Sequence, residues 1–133
     1  MFDSFDISVS GLVANRIWQD TAAANIAGMN VTRDEFGRPN PYQRRFPLFQ
    51  AADDGRGVEV AGIGTDDSFR LKLEPGHPDA EKSGPNKGYV RMPDIDLHTE
   101  TVNSMIAQRA YEANLTALQV TKQMITSDLR ILA

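Results

Sequence analysis

The sequence predicts an α+β fold in which long N- and C-terminal helices pair as a coiled-coil-like hairpin around a small β-rich middle segment. Three observations predict it. Residues 97–132 contain neither glycine nor proline and are rich in good helix formers. Residues 4–28 carry a second apolar pattern with alternating four- and three-residue steps. Between them, glycine and proline recur every few residues, which excludes long helices and leaves short strands between turns. The natural division is therefore 1–31, 32–95 and 96–133.

The N-terminal helix has Asp3 or Ser4 as candidate caps and Gly28 as a candidate terminator. Its heptad-like positions are Phe5, Val9, Leu12, Ala23 and Ile26, with Arg16 and Gln19 in the intervening slots. In the middle segment, Asp53-Asp54-Gly55 is a turn signal between runs at 44–50 and 57–63. Phe69, Leu71 and Leu73 alternate with Arg70 and Lys72, the pattern of a half-buried strand. Thr65 to Ser68 is the expected connecting turn, and Gly88-Tyr89-Val90 a last extended piece. About three strands in one small curled sheet are expected, with too few large apolar side chains to stand alone. Such a sheet needs a helix or a neighbouring subunit beside it.

The C-terminal helix carries two apolar stripes at 100° per residue. One holds Tyr111, Leu115, Leu118, Ile125, Leu129 and Leu132. The other holds Val102, Ile106, Ala110, Ala113, Ala117, Val120, Met124 and Ile131, roughly 140–150° around the cylinder. A surface helix of a small domain needs one stripe, so this helix is built to be packed from two sides. The heptad-like spacing of the alanine-rich stripe supports a close, coiled-coil-like approach, because alanines let helix axes come close, and it leaves open which stripe meets the N-terminal helix and which a neighbour. The other stripe is then left facing water.

Composition narrows the function classes. A charged fraction of 24% and a net charge of −4 give no basic face for nucleic acid or an anionic membrane. With no cysteine, disulfides, thiolate metal sites and cysteine nucleophiles are excluded. The N-terminal residues form no basic and apolar signal sequence, and no apolar run is long enough to span a bilayer. His77 with Asp79 and Glu81 matches no zinc spacing, and the Asp53-Asp54 and Asp66-Asp67 pairs sit in turn contexts. No phosphate-binding loop and no Gly-x-Ser-x-Gly elbow occur. The residues favour a structural or assembly protein with no cofactor and no small-molecule substrate. A small adaptor whose helical hairpin docks a single partner is the alternative.

Specific words in the sequence then match a known family. Residues 5–12, FDISVSGL, and the run Ala24-Asn25-Ile26-Ala27-Gly28-Met29-Asn30 resemble the first helix of bacterial flagellar axial proteins, with Gly28 where the family motif has Asn. Gly37-Arg38-Pro39 with Tyr42, the run from Glu74 to Pro78, Tyr89 in GYVRMPDID, and Arg109 to Asn114 continue the match in order. The chain is identified as resembling the short proteins of the proximal rod of the flagellar basal body. The resemblance implies terminal helices packed into a helical tube that transmits motor torque, with a β-rich outer part. It implies partners that are copies of the chain, other rod proteins and the flagellar type III export apparatus. The implied location is the rod in the periplasmic space, reached without a cleaved signal peptide.

Overall fold

The computed structural model describes residues 2–132; the terminal residues Met1 and Ala133 of the outer segments lie outside the described residues. Helix α1 spans Phe2–Gly28 and helix α2 spans Leu97–Leu132. Between them lie β1 (Arg44–Ala51), β2 (Val58–Asp66), β3 (Phe69–Leu73) and β4 (Tyr89–Pro93). The strands form two separate antiparallel ribbons, β1–β2 and β3–β4, rather than one three-stranded sheet. The Asp53-Asp54-Gly55 turn does join β1 to β2, with Gly55 in the left-handed region at φ 71°.

α1 is covered on two faces. Its contact with α2 is fixed at two points. A Cβ on Gly11 would lie 2.8 Å from the Asn114 side chain, and Asn25 Nδ2 donates to Glu100 Oε2 at 3.0 Å. One helix runs up as the other runs down, so the pair is antiparallel. On an adjacent face, the β1–β2 ribbon lies along α1. Trp18 meets Phe49 edge-on at 5.8 Å, Val58 N–H donates to Ser10 Oγ, and Arg56 pairs with Asp3 near the N-terminus. The ribbon thus obtains the helix it requires. α2, by contrast, is covered along one side only.

Several sequence expectations change. Asp3 and Ser4 lie inside α1, which begins at Phe2, so neither caps it. Gly28 is the last helical residue and is not left-handed. Glycine stands there because the Tyr42 ring lies across it: a Cβ would sit 2.7 Å from the ring carbons. β3 occupies the expected residues, but all five are exposed. Its partner β4 supplies the buried side chains, Val90, Met92 and Pro93, which with Ile95 form the larger part of the apolar core. Arg70 and Lys72 stand across from Met92 and Val90, so the apolar side chains of β3 share the opposite face of the ribbon with Arg91. Thr65 and Asp66 extend β2 rather than turning, and the Asp66 carboxylate accepts the Ser68 amide just beyond.

The loop before β4 is held to the segment after α1 by one carboxylate. Asp79 accepts the Thr32 hydroxyl at 2.8 Å and the Arg33 Nε at 2.8 Å. Burial opposes the charge of Asp79, but these two donors outweigh it and hold its pKa below the ordinary value.

Candidate assembly surface

The seam between the two helices is small and polar on α1, and on α2 small and polar residues alternate with Tyr111, Leu118 and Ile125. On α1, Ser8, Ala14, Thr21, Ala22 and Asn25 are buried. On α2, Glu100 and Ala107 are buried, and Ser104, Tyr111, Asn114, Leu118, Thr121 and Ile125 are half-buried. The α2 positions follow strict steps of four and three. Gly11 and Asn25 are separated by the same length of helix as Asn114 and Glu100, so one register holds through the hairpin. Glycine at position 11 and alanines at 14, 22 and 107 let the axes approach closely.

The sequence left open which stripe of α2 meets α1, and in the structure it is the line through Tyr111, Leu118 and Ile125. The alanine-rich stripe of α2 does not meet α1: Val102 is 52% exposed, Ile106 48% and Met124 59%, and Ala113, Ala117, Val120 and Ile131 are exposed with them, while Ala110 is half-buried. Phe5, Val9 and Ala23 of the chosen α1 stripe are likewise exposed, and Leu12 and Ile26 half-buried. The stripes through Phe5 and Val9 on α1 and through Val102 and Met124 on α2 point outward, and the seam is formed by a different heptad on each helix. Close approach at Gly11 accounts for the small residues there, while Tyr111, Leu118 and Ile125 of α2 also turn toward α1. Of the other α2 stripe, Tyr111, Leu118 and Ile125 turn toward α1, and Leu115 stands exposed at its edge. Leu129 and Leu132 continue that line but are 62% and 83% exposed, because the register runs out of α1 near residue 123.

Where α1, α2 and β1 converge, a polar node is enclosed. Glu100 is 1% exposed; its Oε1 accepts Arg44 Nε at 2.6 Å and its Oε2 accepts Asn25 Nδ2. Asn25 Nδ2 also donates to the Arg45 carbonyl at 2.7 Å, and its Oδ1 accepts the Arg45 amide at 2.8 Å and the Tyr42 hydroxyl at 3.3 Å. Among the described residues no buried side-chain polar atom lacks a partner. The start of α2 is capped by Asp96, which accepts the Thr99 hydroxyl and the Thr99 and His98 amides.

Of the family-motif residues, Asn25 and Tyr42 meet in this node and Asn114 faces Gly11 across the seam. Asn30 is exposed on the turn after α1, and Tyr89 is half-buried at the start of β4. Sequence reasoning missed Glu100, Arg44 and Gly11. Their signal was present as a seven-residue recurrence, Gly11, Trp18, Asn25 on α1 and Glu100, Ala107, Asn114 on α2, which an apolar filter passes over. His77, Asp79 and Glu81 are each engaged elsewhere: His77 Nδ1 accepts the Asp79 amide, and Glu81 accepts Arg91. Among the described residues no group of three or more His, Asp or Glu could hold a metal ion, and no helix is long and apolar enough to cross a membrane.

Residues 86–131 match the family model described as flagellar basal body rod FlgEFG protein C-terminal. The flagellar basal-body rod protein FlgC of Borreliella burgdorferi is 37% identical, over 99% of this chain and 97% of its own length. Those of Bacillus subtilis and Salmonella typhimurium are 34% and 35% identical, each over 98% of this chain and 97% of their own length. The chain belongs to the flagellar basal-body rod protein FlgC family. The α2 helix lies largely within the region matched by the family model, so the element carrying the broad outward stripe is also the one shared with other rod proteins.

Proposed function

We propose that this chain is a structural subunit of the bacterial flagellar basal-body rod, joined to its neighbours through the outward faces of its two long helices. The observation that carries the reading is the exposed apolar surface of the hairpin. Its internal seam is small and polar on α1 and mixed on α2, and each helix leaves a further stripe of large apolar side chains exposed. Exposed apolar heptads on two helices fit a subunit that is gripped from more than one side in an assembly. The interface comprises Phe5, Val9, Leu12 and Ile26 on α1, and on α2 Val102, Ile106, Ala110, Ala113, Ala117, Val120, Met124 and Ile131. Leu115 and Leu129 form its second border, while Tyr111, Leu118 and Ile125 of the same stripe are taken up by α1 within the subunit. An adaptor docking one partner needs only one such stripe.

In this reading residues 1–31 and 96–133 form the tube-building part and 32–95 an outer β-rich part. The subunit transmits torque by rigid helix packing and has no catalytic role. Its partners are copies of itself and other rod proteins, and it reaches the periplasmic rod through the flagellar export apparatus without a cleaved leader. The test is Ala117→Glu, at an exposed position that leaves the seam untouched. The variant should fold and be exported but abolish rod formation and swimming. Normal rods built with it would sink the proposal.

A further inference from the structure

His77 stands between two bonding states, and we propose that it is a pH-sensitive latch: its protonation loosens the Asp79 clamp that holds the loop before β4 to the segment after α1. His77 and Asp79 flank Pro78 in that loop, and the His77 side chain is 29% exposed against 5% for that of Asp79. His77 Nδ1 lies 3.0 Å from the Asp79 backbone nitrogen. A backbone amide can only donate, so Nδ1 is the bare nitrogen and the proton of the neutral ring sits on Nε2. The same Nδ1 lies 3.9 Å from Asp79 Oδ2. Thr32 Oγ1 and Arg33 Nε already donate to that oxygen, at 2.8 and 3.0 Å.

A proton added at Nδ1 changes both contacts at once. The Asp79 amide loses its acceptor and faces a second donor. The new N–H, with the charge of the ring behind it, is drawn to Oδ2, where Thr32 and Arg33 occupy the lone pairs. The ion pair gained is partly exposed and therefore weak, whereas the turn loses an acceptor and the clamp gains a competitor. The charged form of His77 thus holds the loop less firmly than the neutral form.

The charges around His77 do not titrate in the same range. Glu74 lies on the same loop and is held by Lys72 of β3 at 2.7 Å; Arg33 faces the clamp from the segment after α1. Glu81 lines the same small pocket as Asp79 and is held by Arg91 of β4 at 3.1 Å. Burial opposes the charge of Asp79, but Thr32 and Arg33 outweigh it, and the Lys72 ammonium lowers Glu74, so both carboxyls lie below their ordinary values. Their contributions are present above the unfolded values of about 3.9 and 4.3 and are lost only as pH falls through the lower folded ones. Histidine is the side chain that ordinarily changes charge between about pH 5 and 8. A change of the clamp within that interval belongs to His77. The latch is independent of the rod reading; in a rod subunit it lets the outer β-rich part loosen in mild acid while the helical hairpin stays paired.

The experiment is amide exchange of the full chain at about pH 7.5 and about pH 5.5, corrected for the intrinsic pH dependence of exchange. Protection of the Asp79, Glu81 and Gly88 amides should fall at least about tenfold in acid, while that of Ala107 in the helical seam is kept. Nitrogen-15 spectra of the imidazole should show the Nε2–H form at the higher pH. His77→Asn provides the control, because its Oδ1 can accept the Asp79 amide in an Asx turn and does not titrate. Its loop should be protected equally at both pH values. Equal protection of the wild-type loop at both values, the Nδ1–H form at the higher one, or the same acid loss in His77→Asn would overturn the latch. A loss shared with Ala107 would overturn it too, since that is general unfolding.

Discussion

Asn25 shows how much one side chain can fix. Its amide donates twice and accepts twice, and the four bonds tie α1 to the backbone of β1, to the Tyr42 ring and to Glu100 of α2. Asn25→Ala leaves the Arg45 peptide groups and part of the Glu100 carboxylate without partners. A loss of about 2–3 kcal/mol is expected from chemical denaturation, with the unfolding slope unchanged. Its role was only partly legible in the sequence. The motif marked position 25, but nothing local revealed that Glu100, 75 residues away, would be its partner. Gly28 was misread for a related reason. Glycine after a helix is usually a left-handed terminator, whereas here it makes room for a ring brought in from residue 42. Both errors concern what arrives from elsewhere in the chain.

At the scale of elements, propensity was reliable and face assignment was not. The limits of α2 follow from its composition, and the Asp96 cap explains why it starts where it does. That cap makes the first turn sensitive to acid. The Thr99 hydroxyl and amide, with the His98 amide, hold the Asp96 carboxyl below its ordinary value. A carboxylate with a lowered folded pKa contributes stability above its unfolded value of about 3.9, and that contribution is lost as pH falls through the folded one. Fraying of residues 97–100, followed by amide exchange, should therefore set in only under acid conditions below that range. In Asp96→Asn the same turn should fray more at neutral pH and lose its acid dependence. The faces stayed open because α2 carries two apolar stripes at heptad-like spacing and periodicity alone does not choose between them.

For the whole molecule, enclosure is graded along its length. α1 is covered by α2 and by a ribbon, the central part of α2 by α1, and the end of α2 by nothing within the subunit. In the isolated chain, amide exchange should be slow around Asn25 and Ala107 and markedly faster from residue 124 onward. Uniform protection along α2 would contradict this gradient. The architecture of two helices around a β-rich middle was legible because periodicity and glycine content change sharply at its borders. The split into two ribbons was not, since strand pairing across the loop from Glu74 to Gly88 depends on Asp79 reaching back to Thr32 and Arg33. The unequal helix lengths also have a mechanical side. A hairpin whose second arm outlasts the first by two turns or more carries an overhang that suits a lap joint, in which one arm lies alongside another. Twisting load in such a joint is carried as shear spread over the overlap, so that no single contact bears it all and the joint can be stiff even where each contact is weak.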